Sequence, residues 1–118
     1  MESVIDVEQI EVVPGKNTDN QPILRRDNLK INLLAVRAHA ELPVHAHERE
    51  EQFYYVVSGE GIIRLGDREF PLRPGVAVDI PPGVLHQVRN PNDVPLRYLD
   101  ILVECANSAN PAIEKGNL

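Results

Sequence analysis

A chain of 118 residues, 42% hydrophobic and 25% charged, has the length and mix of one soluble domain built on a single core. Twelve basic against eighteen acidic side chains leave a net charge of −6, which excludes the basic face of a nucleic-acid-binding surface. The lone Cys105 rules out an internal disulfide, no apolar run approaches the roughly 18 residues of a membrane span, and the opening Met1-Glu-Ser-Val-Ile-Asp lacks the features of a signal peptide, so the expected setting is cytoplasmic.

Ten prolines and seven glycines leave little room for long helices, and the segments between them read as strands. Residues 1–13 carry Val4, Ile5, Val7, Ile10, Val12 and Val13, apolar enough to cover another surface. Ile23 to Leu42 competes as a helix, being rich in Leu, Ala and Arg. It has no capping residue before a clean 3.6-residue stripe, and strand is preferred. Within it, Leu29, Ile31, Leu33 and Ala35 alternate with Lys30, Asn32 and Leu34, the period of a strand. Phe53-Tyr-Tyr-Val-Val57 is aromatic and β-branched, apolar on both faces. Ile62 to Leu65, the turn Gly66-Asp67, then Glu69-Phe70 form a predicted hairpin. Val76 to Ile80 stops at Pro81-Pro82-Gly83, a strong turn signal. His86 to Arg89 and Leu96 to Val103 complete the set, and residues 107–118 have little to pack, which predicts a flexible or partner-draped tail. Short strands at this spacing predict an all-β antiparallel sandwich or barrel in a single domain, 1–118.

The chemistry concentrates in the histidines. His45 and His47 are two apart, and on a strand the side chains at i and i+2 share a face, so both imidazoles can reach one ion. Gln52 follows five residues after His47, beyond the charged run Glu48-Arg-Glu-Glu51, which reads as a solvated loop at a pocket mouth. His86 comes directly after the Pro-Pro-Gly turn, where an antiparallel barrel can return it beside the first pair.

These residues resemble the two motifs of the cupin family of small jelly-roll β-barrels. In the first motif, residues 39–59, His45-x-His47, four residues, Gln52, six residues and Gly59 fit the family spacing. In the second, residues 75–90, Gly75, Pro81, Gly83, His86 and Asn90 fit at every specified position. The sequence departs from the family twice. The leading glycine of the first motif falls at His39, which suits a bend between strands rather than a ligand. The usual Glu ligand falls at Gln52. Counting back from Gly59 selects Gln52, with Glu51 as the fallback, since both faces of that strand are apolar.

The resemblance implies a metal site of His45, His47, Gln52 (or Glu51) and His86, holding one divalent transition metal ion among Fe, Mn, Ni, Co, Cu and Zn. Neutral imidazoles and an amide oxygen leave the ion its whole charge, which suits an anionic ligand or substrate. It also implies open coordination positions, hence a metal-dependent enzyme acting on a small carbonyl or sugar-acid metabolite. Small cupins that open or isomerise unsaturated uronates are similar to this chain in joining Gln to three His. A cupin dioxygenase using Fe or another redox metal, and a non-catalytic binding or sensing cupin, are the alternatives. The resemblance further implies a homodimer with N-terminal strands contributing across the interface.

Tyr54, on the face of Gln52, is either a phenol offered to substrate or a core aromatic. Arg37, Arg64, Arg89 and Arg97 fall on predicted strands, where an inward one would clamp a carboxylate, although each suits the solvated face. Asp79 is either an acceptor for a ligand's ring N–H or a surface acid. Cys105 reads as structural.

Overall fold

The apolar runs bounded by Gly, Pro and Asp turns are the strands. In the structure, a computed structural model that describes residues 3–11 and 17–105, the order is β1 (Thr18–Arg25), β2 (Leu29–Val36), β3 (Glu50–Ser58), β4 (Gly61–Leu65), β5 (Arg68–Leu72), β6 (Ala77–Ile80), β7 (His86–Arg89) and β8 (Leu96–Glu104). One sheet runs β1-β2-β8-β3-β6 and the other β5-β4-β7, with every strand pair antiparallel. The expected all-β jelly-roll architecture is the one found.

The Ile23–Leu42 stretch is not a helix, because the Asp27-Asn28 turn divides it between β1 and β2. The first half of β1, Thr-Asp-Asn-Gln-Pro, carries no apolar signal. It forms an edge strand, pairing with β2 alone, and its register shifts between Pro22 and Leu24. Proline lacks the N–H that a central strand requires, so an edge with a shift in register is where it is tolerated. Of the N-terminal apolar residues described, Val4 and Ile5 are exposed and Val7 and Ile10 half-buried, around a 3₁₀ turn, Val7–Gln9; Val12, Val13 and the predicted tail lie outside the described residues.

The core lies between the two sheets. Val36, Tyr54, Val56, Val78, Ile80, Leu96 and Tyr98 from the larger sheet pack on Ile63, Leu72 and Val88 from the smaller. Full burial of a side chain such as Ile63, which has no exposed surface, contributes about 1.5–3 kcal/mol. On β8 the inward set is Leu96, Tyr98, Asp100 and Leu102, and on β3 it is Gln52, Tyr54 and Val56.

The β2 alternation is inverted relative to its hydrophobicity. Asn32 and Leu34 pair with Asp100 and Tyr98 and so face inward, while Ile31, Leu33 and Ala35 are on the outer face. Arg97, the partner of Ala35 on that face, donates to the carbonyls of Val7 and Ile10 at 3.0 and 2.7 Å. It thereby ties the N-terminal segment over the sheet.

Candidate metal centre

His45 precedes the barrel strand that the motif would predict. It lies on an irregular segment that runs beside β7, through Leu42 N to Val88 O (2.9 Å) and Asn90 N to Ala40 O (2.8 Å). His45 and His86 pair directly, each N–H donating to the other's carbonyl at 3.0 and 2.8 Å. Antiparallel partners present their side chains on one face, and the two ring centroids are 4.1 Å apart. His47 falls on the same side by the two-residue period, 5.2 Å from His45 and 6.0 Å from His86. The Pro81-Pro82-Gly83 turn holds it there, since Gly83 N–H donates to the His47 carbonyl at 2.9 Å. One ring nitrogen from each of the three lies within 4.8 Å of the others.

Each ring has its Nδ1 committed. That of His45 is 3.1 Å from the Pro43 carbonyl and that of His86 is 2.9 Å from the Val84 carbonyl. A carbonyl only accepts, so both Nδ1 atoms carry the proton and both Nε2 atoms keep a lone pair. The Nδ1 of His47 stands 3.3 Å from Glu50 Oε1. This is how metal-binding histidines are oriented by the groups behind them. His86 is buried and its Nε2 has no hydrogen-bond partner. Burial first, then the neighbouring His45 and His47, lower its pKa below the ordinary value against the opposing Val84 bond, which keeps the ring neutral.

Gln52 is 3% exposed on the inward face, and its Nε2 donates to Asp100 Oδ1 at 2.7 Å. Its Oε1 is buried without a hydrogen-bond partner. Glu51 is exposed on the opposite face of β3, beside Phe53 and Tyr55 in period. Tyr54 lies deeper, with its ring 4.6 Å from Tyr98 and 6.1 Å edge-on to His86. Burial, with Tyr98 and Asp100 nearby, pushes its phenol far above the usual value. Tyr54 therefore stays protonated and can offer a donor but not a base. His45 and His47 are partly exposed, so the cluster opens to solvent on their side, next to the exposed Val44 and Leu85.

The other sequence candidates lie elsewhere. His39 takes the glycine position with φ of 62°, at a bend, with its Nε2 2.7 Å from Asp93 on the surface. Asp79 is exposed and pairs with Phe53 across the outer face. Arg89 pairs with Glu69 at 2.6 Å, Arg64 donates to the Gly66 carbonyl, and Arg37 is exposed. Asn90 of the second motif is structural, its amide reaching the carbonyls of Val36, Arg37 and Val94. Cys105 is half-buried past the end of β8, its N–H donating to the Arg49 carbonyl.

The run Glu48–Glu51 is not all loop: β3 begins at Glu50, and Glu50 turns toward His47. Sequence reasoning also missed Asp100. Its signal was present, since Leu96, Tyr98 and Leu102 mark one face of β8 and Asp100 is the single charge among them. Burial raises the Asp100 pKa, and hydrogen bonds from Gln52 and Asn32 oppose this.

The cupin domain family matches residues 32–102. Protein SchB of Streptomyces halstedii is 36% identical over 69 residues, 58% of this chain and 50% of that protein. The oxalate-binding protein of Thermotoga maritima is 27% identical over 60 residues, 51% of this chain and 50% of that protein. The match spans half or less of the length of these curated relatives, down to 15% for the xanthan biosynthesis protein XanB of Xanthomonas campestris. Among solved structures, TT1209 of Thermus thermophilus is 26% identical and superposes with a TM-score of 0.81 over 88% of this chain and 99% of that one. Motif spacing, sheet order and sequence match agree, and the chain belongs to the cupin family.

Proposed function

We propose that His45, His47, His86 and Gln52 bind one divalent transition metal ion, and that the chain is a metal-dependent enzyme acting on a small anionic carbonyl or sugar-acid metabolite by isomerisation or ring opening. The observation that carries the metal reading is the pair of buried, unpartnered acceptors, Gln52 Oε1 and His86 Nε2, beside two imidazoles whose Nδ1 atoms are also engaged. Leaving a buried polar atom unpaired costs about 1–3 kcal/mol, so each of the two calls for a ligand that accepts its lone pair.

Bound there, the ion supplies Lewis acidity to a carbonyl or carboxylate oxygen. Four neutral donors leave its charge undiminished at the open positions. Glu50 and Asp100 stand one residue further out and, when ionised, balance that charge overall. The attraction for an anion is therefore local to the open side at His45 and His47. A relative named for binding oxalate supports a small, chelating anion as the ligand class. The exposed apolar outer face at Phe53, Tyr55 and Val103 supports a homodimer as its cover.

The test of function is elemental analysis of the untagged protein, followed by a screen of uronates, keto acids and diketones with and without oxygen. Isomerisation or ring opening without oxygen uptake supports the reading. Iron together with substrate-dependent oxygen consumption replaces it with a dioxygenase. Gln52 and Glu51 are separated by a second experiment. Gln52→Ala is expected to lower metal affinity by about 10-fold or more, while Glu51→Ala leaves it nearly unchanged; the reverse pattern shifts the ligand by one residue.

A further inference from the structure

We propose that Asp100 is a positioning residue that, at the end of a hydrogen-bond line starting at Arg25, turns the Gln52 amide so that its oxygen and not its nitrogen faces the three imidazoles. The inference rests on the metal reading above. The four residues of the line stand on β1, β2, β8 and β3, the spatial order of the larger sheet. Asn32, Asp100 and Gln52 are 4%, 6% and 3% exposed, so water does not compete for their partners.

The polarity of the line follows from what each group can do. A guanidinium only donates, and Arg25 Nη2 donates to Asn32 Oδ1 at 2.7 Å. The Asn32 amide is thereby fixed with its NH₂ group left over, opposite its cross-strand partner Asp100, whose carboxyl pKa, raised by burial, it lowers. Asp100 accepts from Gln52 Nε2 at 2.7 Å. Once the Gln52 nitrogen is spent, its Oε1 is what remains for the site, and that atom is buried and unpartnered. The distinction matters because an amide oxygen has lone pairs to give a cation and the amide NH₂ has none.

The line also accounts for Gln where the cupin motif carries Glu. A carboxylate at position 52 would set two carboxylate oxygens at hydrogen-bond distance with no donor between them. The acid of this site stands one residue behind the ligand instead.

The experiment measures the Kd of Co²⁺ by competition with a chelator for the wild type, D100N and the double variant D100N/Q52E, with thermal unfolding of each in chelator as the check on folding. D100N is expected to weaken Co²⁺ binding by about 10- to 100-fold, because the introduced amide can donate to Gln52 Oε1 and turn the Gln52 amide over. In the double variant the carboxylate introduced at 52 accepts from that amide and offers its second oxygen to the ion, so affinity recovers relative to D100N. With Q52E measured alone, a merely structural role for Asp100 would give Q52E the same gain over the wild type that the double variant shows over D100N, whereas the positioning role gives Q52E no such gain. Wild-type affinity in D100N, or no recovery in the double variant, overturns the inference while the metal reading stands. Failure of the wild type to bind Co²⁺ overturns the metal reading itself. Should D100N not fold, the exposed end of the line is read by R25M, expected to weaken Co²⁺ binding by about 3- to 10-fold; unchanged affinity there overturns the inference.

Discussion

Replacing His45 and His47 together with alanine takes the metal content of the purified protein to background and removes the rise in Tm that added metal gives the wild type. Both rings are partly exposed and neither belongs to the core cluster, so the loss is one of ligands and not of fold. A ligand that binds only the folded state stabilises it by about 4 kcal/mol at a thousand times its Kd, and that increment should be absent from the double variant. Metal content measured by elemental analysis checks the first part, and thermal unfolding with and without metal the second. Retained metal in a folded double variant places the ion elsewhere and removes the proposed function with it.

Acidification acts through the same cluster. Burial lowers the His86 pKa, so the folded chain takes up that proton less readily than the unfolded one. Its contribution to stability is present above the ordinary histidine value of about 6.5 and is lost as pH falls below it.

The second large effect is on the fold. Gly59 has φ of 79°, and a Cβ placed there would stand 2.1 Å from the Pro95 carbonyl oxygen and 2.9 Å from Leu96 Cα. Both obstacles are backbone and neither can swing aside. Gly59→Ala is expected to cost about 3–5 kcal/mol, the left-handed conformation supplying about 1–2 of it and the collision the rest. In a domain of this size that lowers Tm by more than about 10 °C. Gly75 is the control: its φ is 90° but nothing lies within 4 Å of its Cβ position. Gly75→Ala should therefore lose only the conformational part, about 1–2 kcal/mol. Equal losses at the two positions, read by denaturant or thermal unfolding, would show that the close approach of Gly59 to Pro95 does not hold in solution.

Much of this fold is legible in the chain. The hairpin at Gly66-Asp67, the stop at Pro81-Pro82-Gly83 and the β-branched runs between them lie where composition puts them, because turn chemistry and strand propensity are local. The polar half of β1 is not legible, since an edge strand paired on one side needs no apolar face. The β2 alternation misleads about its direction. Ile31, Leu33 and Ala35 face outward, Leu33 and Ala35 buried there, while Asn32 shares the inner face with Leu34 and Val36 and meets Asp100. Strand period states that two faces differ but not which one meets the core.

The spacing of His45, His47, Gln52 and His86 in the chain singles out the residues of the candidate site, because a two-residue period and a fixed turn are properties of contiguous sequence. Counting back from Gly59 favours Gln52 over Glu51, but strand period cannot, since both faces of that strand are apolar; it is the sheet's packing that turns Gln52 inward and Glu51 out. The tertiary structure likewise brings Asp100, 48 residues along the chain, to 2.7 Å from Gln52. The groups behind the three imidazoles are local in the chain, two or three residues away, but the acid behind Gln52 comes from a strand that is a neighbour in the sheet and distant in sequence, and hydrogen bonding across strands leaves no period in the chain from which to read it.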